Sequence, residues 1–222
     1  MISLSKQTRD SHHLDELKNK EIPLVFFDRV AEHLAVPKVN TDDYDCGIKA
    51  TEHLISQGCR RIAFLSISPN LSISNIRMQG YLEALRRNKL NPDARLIISC
   101  DRDDISNGDL IRQLLKRKYR PDGLFACVEK LAISVYEIAA QLELKIPEDL
   151  KIITFSNSYM AGLLNPPLTT ISQPAYEIGR QAAAILFKLV EKKGHHFLLE
   201  KTVLNSELVV RRSTQASPGH VT

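Results

Sequence analysis

The chain has 222 residues, 43% of them hydrophobic, and 30 basic against 26 acidic side chains give a net charge of +4. That is enough apolar material for a real core and fits one large domain or two small ones. It excludes a membrane span, since no apolar stretch approaches the roughly 20 residues one requires, and charges spread along the chain exclude the basic stripe of a self-sufficient nucleic-acid-binding domain.

The start, MISLSKQTRD, lacks the apolar core of a secretory signal. Cys46, Cys59, Cys100 and Cys127 form no CxxC pair and are read as reduced core thiols of a cytosolic protein. The Asn-Leu-Ser sequon at Asn70 is taken as chance.

In chain order, PLVFFDR (23–29) and KVNTDD (38–43) read as strands, followed by the helix YDCGIKATEHLISQG (44–58) with Gly58 as its C-terminal cap. RIAFLSI (61–67), LIISC (96–100), GLFACV (123–128) and LKIITFS (150–156) are four short apolar runs. They alternate with helical patterns over 75–90, 109–119 and 130–144. Such alternation predicts βαβ units and a doubly wound α/β unit with a parallel sheet. LLNPPLTTISQP follows; its prolines, Pro166, Pro167 and Pro174, exclude a helix and make it a poor central strand, so an extended strap is expected. A helix over 175–193 ended by Gly194, one last strand, VLNSELVVR (203–211), and a polar, disordered tail complete the chain.

Catalytic motifs are missing. None of the glycines forms a nucleotide cradle, GxSxG and HExxH are absent, and no nucleophile stands beside a base, so no enzyme and no cofactor are expected. His12-His13 and His195-His196 are neighbours, which in a helix do not converge on one ion, so they are read as surface residues and no metal is expected. Asp42-Asp43, Asp103-Asp104 and Glu148-Asp149 stand at helix or turn starts, where carboxylates satisfy free N–H groups. What remains is the rule that open α/β sheets bind ligands outside the carboxyl ends of their strands. Those ends carry Asp28 and Arg29, the stretch 66–73, Val128 and Glu129, and Ser156 and Asn157, with Arg77 in the helix that follows the second.

Six segments occur in a telling order: IPLVFFDR, ATEHLISQGCRRIAFLS, R-x-x-G-Y from Arg77 to Tyr81, IPEDLKIITFSN, PPLTTISQPAYEIGRQAA and SELVVRRST. Over residues 1–214 this resembles the effector-binding core of the LacI/GalR family of bacterial transcription regulators. The resemblance implies two Rossmann-like parallel-sheet subdomains of the periplasmic binding protein type I fold, joined by three chain crossings. On that pattern 1–58 is a partial N-terminal subdomain, 59–168 the C-terminal one, 169–195 a return to the first and 196–214 a final strand in the second, before the tail 215–222. LTTISQP becomes the third crossing. Residues 1–5 match the third strand of the first subdomain. The family's helix-turn-helix headpiece and two βα units have no counterpart ahead of them, so apolar faces of PLVFFDR and helix 175–193 are expected to be partly uncovered.

The resemblance also implies a cytoplasmic homodimer that senses a small sugar or sugar derivative, reaches operator DNA only through a headpiece absent from this chain, and touches no membrane. A sugar-binding protein of a transport system is the alternative. Asp28 matches the family's acid and Arg77 the arginine that grips effector hydroxyls. Val128-Glu129 and Ser156-Asn157 stand where most members carry Asn-Asp and an acid, so a carboxylate is missing and an acidic effector is expected.

Overall fold

The computed structural model describes residues 1–5, 8, 12–68, 71–100, 103–191 and 200–215; Asn70, Gly194, His195-His196 and the tail from 216 lie outside them. The elements are α1 (His13–Asn19), β1 (Phe26–Phe27), β2 (Lys38–Thr41), α2 (Asp43–Ser56), β3 (Ile62–Ser66), α3 (Ser72–Arg87), β4 (Ile97–Ser99), α4 (Asp104–Leu115), β5 (Gly123–Ala126), α5 (Glu129–Gln141), β6 (Lys151–Phe155), β7 (Thr169–Ser172), α6 (Ala175–Glu191), β8 (Lys201–Leu204) and β9 (Glu207–Val209). They build an α/β molecule with two sheets.

The smaller sheet is parallel, in the order β1-β2-β8. Ile2 bridges Phe26 at its edge, where residues 1–5 run beside β1. One face packs Val25 and Val39 against Ile178, Ala182 and Ile185 of α6. The other packs Phe26 against Leu14 of α1 and against Val30, Ala31, Leu34 and Val36. PLVFFDR is therefore covered on both faces, contrary to the expectation from sequence. The segment 30–36 and α1 supply a layer that residue spacing did not announce. On α6 the expectation fares better, since Tyr176, Phe187 and Val190 are exposed.

The larger sheet has six strands in the order β4-β3-β5-β6-β7-β9, parallel except for β9. Its inner strands β3 and β5 are buried at every position, as a sheet covered on both faces requires. Right-handed crossovers put α3 on one face and α4 and α5 on the other, because the chain steps from β3 outward to β4 and then back past it to β5.

Four sequence expectations change. The strap contains β7, which pairs with β6 on one side and β9 on the other. Its prolines flank residues 169–172 rather than interrupt them, so each N–H there is free for a ladder. The run 203–211 is two strands, β8 in the smaller sheet and β9 in the larger. The helix α2 packs on α3, β5, β6 and β9, so the first lobe ends at Asp42 and not at residue 58. Crossings then fall at Asp42, at 173–174 and at 205–206, which makes the strap's crossing the second in chain order.

Side chains tie these crossings together. Gln173 Nε2 donates to Thr41 Oγ1 at 2.8 Å, and the Ser206 amide donates to Asp42 Oδ1 at 2.8 Å. Asp42 also accepts from Cys46 Sγ at 3.2 Å and Lys49 Nζ at 3.0 Å, while its own amide donates to the Leu204 carbonyl. Its carboxylate makes no cap bond to α2, the role its position suggested; Asp103, by contrast, does cap α4 through the Ser106 amide. Burial alone would raise the Asp42 carboxyl, but Cys46, Lys49 and Ser206 pull it below its ordinary value. A depressed acid contributes stability that is present above its unfolded pKa, about 3.9, and lost as pH falls through the folded value. Asp42→Ala should therefore cost about 1.5–3 kcal/mol at pH 7 by urea unfolding, and its difference from the parent chain should shrink as pH drops below about 4.

Candidate ligand site between the lobes

The cavity that best fits the strand-end rule has a volume of about 380 Å³, within the usual range for small-molecule sites. Phe27, Asp28 and Arg29 enter it from the end of β1, and Ala175 and Ile178 from the start of α6. Ile67 comes from the β3–α3 connection, Ser74 and Arg77 from the first two turns of α3, Cys127 and Val128 from the end of β5, and Phe155, Ser156 and Asn157 from the end of β6, with Gln173 at a crossing. Both lobes thus line one space. It sits where strand order reverses between β3 and β5, the point at which loops leave toward opposite faces.

Arg77 is the most constrained of these residues. It is 3% exposed, its Nε donates to Asp43 Oδ1 at 2.7 Å and its Nη1 to the Cys127 carbonyl at 2.6 Å. Its guanidinium carbon lies 3.4 Å from the centroid of the Phe155 ring, a cation–π stack. Nη2 carries no hydrogen bond among the described residues, so the fork is held on two sides and keeps donors for a ligand. Asp43 is equally buried and also accepts from Thr41 Oγ1 at 3.0 Å. Burial pushes its carboxyl up, and the Arg77 charge opposes that shift.

The pair meets because two helices come unusually close. A Cβ on Gly80 would lie 2.2 Å from the Tyr44 carbonyl and 2.9 Å from Gly47 Cα, and one on Gly47 would lie 2.5 Å from the Arg77 carbonyl. Asp43 and Gly47 share a face of α2 at a spacing of four, and Arg77 and Gly80 share a face of α3 at a spacing of three. The glycines let the backbones touch one turn beyond the acid and the arginine. Tyr81, fully buried, fixes α3 to the sheet by donating to the Ile62 carbonyl at 2.8 Å.

Asp28 has a left-handed φ of 59°, uncommon without glycine but commoner in Asp than in most residues. Its amide donates to the Val39 carbonyl and its carbonyl accepts from Asn40 Nδ2 at 3.1 Å, which over-determines the turn. Arg29 stands 3.8 Å away, charge to charge.

The other residues singled out from sequence divide. Val128 and Ser156 line the cavity, and Ser156 Oγ accepts from the Ser158 amide. Asn157 reaches the wall but is occupied as a brace: its carbonyl oxygen accepts from the Gln173 amide at 2.7 Å and its Nδ2 donates to the Gln173 carbonyl. Glu129, singled out at the same strand end, begins α5 and is not among the lining residues; its Oε1 is buried without a partner among the described residues. Sequence reasoning missed Asp43, Thr41 and Gln173. A helix-start acid is so common that nothing local marks Asp43, and only the matched glycine spacings on α2 and α3 could have pointed to it. A larger open groove of about 920 Å³ lies between the start of α2 and the end of α3; of its three charged lining residues, Glu83 and Arg86 pair with each other and Lys89 stands at its end.

Two parallel-sheet lobes that enclose a cavity at their strand ends define a ligand-binding core of the periplasmic-binding-protein type. Residues 51–214 match the periplasmic binding protein-like domain. The HTH-type transcriptional repressor CytR of Escherichia coli (strain K12) is 32% identical over 218 residues, 98% of this chain and 63% of that protein. Transcription regulator CcpA of Lactococcus lactis superposes with a TM-score of 0.81 at 27% identity, covering 93% of this chain and 74% of the other. The regulator CelR, solved with cellobiose, gives 0.83 at 27%, covering 92% and 63%. The chain belongs to the periplasmic-binding-protein-like family, and the relatives it resembles are transcriptional repressors and regulators. It spans 63% of the length of the curated relatives it first matches, which are repressors, so the transport alternative is not favoured.

Gly80→Ala should lower stability by about 1–3 kcal/mol or more, read as a fall in thermal midpoint, because only backbone surrounds the added methyl. Arg77→Ala should cost about 3–5 kcal/mol in urea by leaving Asp43 buried and uncompensated. Removing Asp43 in the same chain should restore part of that loss, and a double-mutant cycle measures how much.

Proposed function

We propose that this chain is the effector-sensing and dimerisation core of a cytoplasmic, non-enzymatic transcription regulator. A small polyhydroxylated ligand in the inter-lobe cavity sets the angle between the lobes and thereby the spacing of DNA-binding headpieces carried by the longer protein. The observation that carries this reading is one small cavity lined from both lobes, with Arg77 held at its base and Asp28 at its wall. A ligand touching both lobes binds the closed arrangement better, and that difference in affinity is the most it can shift the equilibrium. We further propose Asp28, Arg77 and Ser156 as the groups that meet ligand hydroxyls, with Val128 as an apolar wall; Asn157 acts through Gln173.

Two charges in the structure change the expectation for the effector. Sequence favoured an acidic effector because Ser156 and Val128 replace an acid and an amide. Asp43 now supplies a buried carboxylate on the far side of Arg77, and Arg29 stands beside Asp28. Each arginine at the cavity is paired with an acid, which supports a neutral sugar or sugar-like molecule over a phosphate or uronate.

Calorimetric titration of the full-length regulator with cellobiose and with matched neutral and acidic monosaccharides tests this. At least one neutral sugar should bind more tightly than its acidic partner. Asp28→Ala should weaken that binding by about tenfold or more, a loss of about 1.4 kcal/mol, and small-angle scattering should show compaction on binding. A ligand bound equally well by the parent and Asp28→Ala, or a clear preference for the acidic sugar, would overturn the site assignment or the charge argument respectively.

A further inference from the structure

We propose that His12, Asp15 and His33 form a site for one divalent transition-metal ion, with zinc the best-suited occupant. They come from two segments. His12 stands directly before α1, Asp15 is in its first turn, and His33 lies in the stretch between β1 and β2. One ligating atom from each lies within 4.8 Å of the others. His12 Nδ1 and Asp15 Oδ2 are 3.3 Å apart, and the two imidazole rings are 5.8 Å apart between centroids and tilted by 52°.

Those numbers match a tetrahedral ion. Zinc bonds to imidazole nitrogen and carboxylate oxygen are about 2.0–2.1 Å, so ligand atoms on one tetrahedron are separated by roughly 3.3–3.4 Å. His12 and Asp15 are already at that distance. His33 lies within 4.8 Å and must close by at most about 1.5 Å to reach that spacing, a side-chain rotation well within reach of an exposed residue. Two imidazoles and one carboxylate leave a fourth position for water and suit zinc or copper(II) rather than thiol-seeking ions. All four cysteines are buried elsewhere and cannot complete a thiolate set here.

The scaffold beneath is built before any ion arrives. Leu14 and Leu17 of α1 pack with Val30, Ala31, Leu34 and Val36, so the helix and the segment carrying His33 are held together by apolar contact. The polar residues stand over that seam. His13, the neighbour considered from sequence, does not belong to the cluster; the fold substitutes His33 from a distant turn. The competing reading is a surface contact of His12 with a helix-start acid, which gives His33 no part. A bound ion would clamp α1 to the segment that begins with Asp28 and Arg29 of the cavity and ends at β2, stiffening the smaller lobe.

The test uses untagged protein stripped with chelator and carrying His195→Ala and His196→Ala, titrated with zinc chloride by calorimetry and with cobalt(II) by visible absorption. The expected result is one ion per chain and a cobalt d–d spectrum without thiolate charge transfer. Affinity should fall by at least about tenfold in His33→Ala and in Asp15→Asn and stay unchanged in His13→Ala. Zinc should raise the thermal midpoint of the parent and not of His33→Ala. Failure to bind either ion, equal affinity in His33→Ala, or a loss in His13→Ala as large as in His33→Ala would overturn the proposal. None of these readouts involves the cavity ligand, so they are independent of the effector reading.

Discussion

The geometry of the cavity depends on how closely α2 and α3 approach at Gly47 and Gly80. With side chains there the helix axes would separate, and Asp43 and Arg77, one turn away, would lose a bond of 2.7 Å. A buried ion pair is a weak source of stability when weighed against an apolar replacement, because both charges must be taken out of water. Its value here is specificity of position. Arg77 is fixed by Asp43, by the Cys127 carbonyl and by the face of Phe155, contacts that come from the first crossing, the end of β5 and the end of β6.

The same acid faces the hinge. From Arg77 the bonds run through Asp43 to Thr41, then to Gln173, and from the Gln173 backbone to Asn157 at the cavity wall. This circuit joins the first and second crossings, while Asp42, the adjacent residue, joins the first and third through Ser206. Two neighbouring carboxylates therefore divide the labour. Asp43 holds Arg77 in place from behind the cavity, and Asp42 binds the crossings to one another.

Much of this was legible in the sequence. Apolar runs separated by amphipathic stretches gave β3, β5 and β6 with their helices to within a few residues, because those strands are buried on both faces and their composition says so. Arg77, Asp28, Val128 and Ser156, singled out at or just after strand ends, all line one cavity. The misreadings have a common cause, since each concerns a pairing partner distant in the chain. Whether 169–172 is strap or strand depends on β9, some forty residues later, and whether 203–211 is one strand or two depends on which sheet each half meets. Short-range patterns carry propensity and periodicity but not partners. Asp42 and Asp43 were misjudged as ordinary helix-start acids for the same reason, since Ser206 and Arg77 are far away in sequence.

Charge compensation alters what an arginine in such a cavity can do. An uncompensated guanidinium attracts anions from a distance, and its contribution is screened by salt. Arg77 meets its counter-charge inside the protein, so its long-range field is small and what it offers is direction, with planar N–H donors held in one orientation by a stack and two bonds. Oriented donors of that kind discriminate by whether a ligand presents acceptors in the right plane, and they lose their partners when it does not. A ligand that draws Arg77 toward itself also draws on Asp43, and through Thr41 on the bond to Gln173 that spans two crossings. On the proposed reading, recognition and lobe angle are coupled through side chains already in contact, with no need for a separate transmitting element.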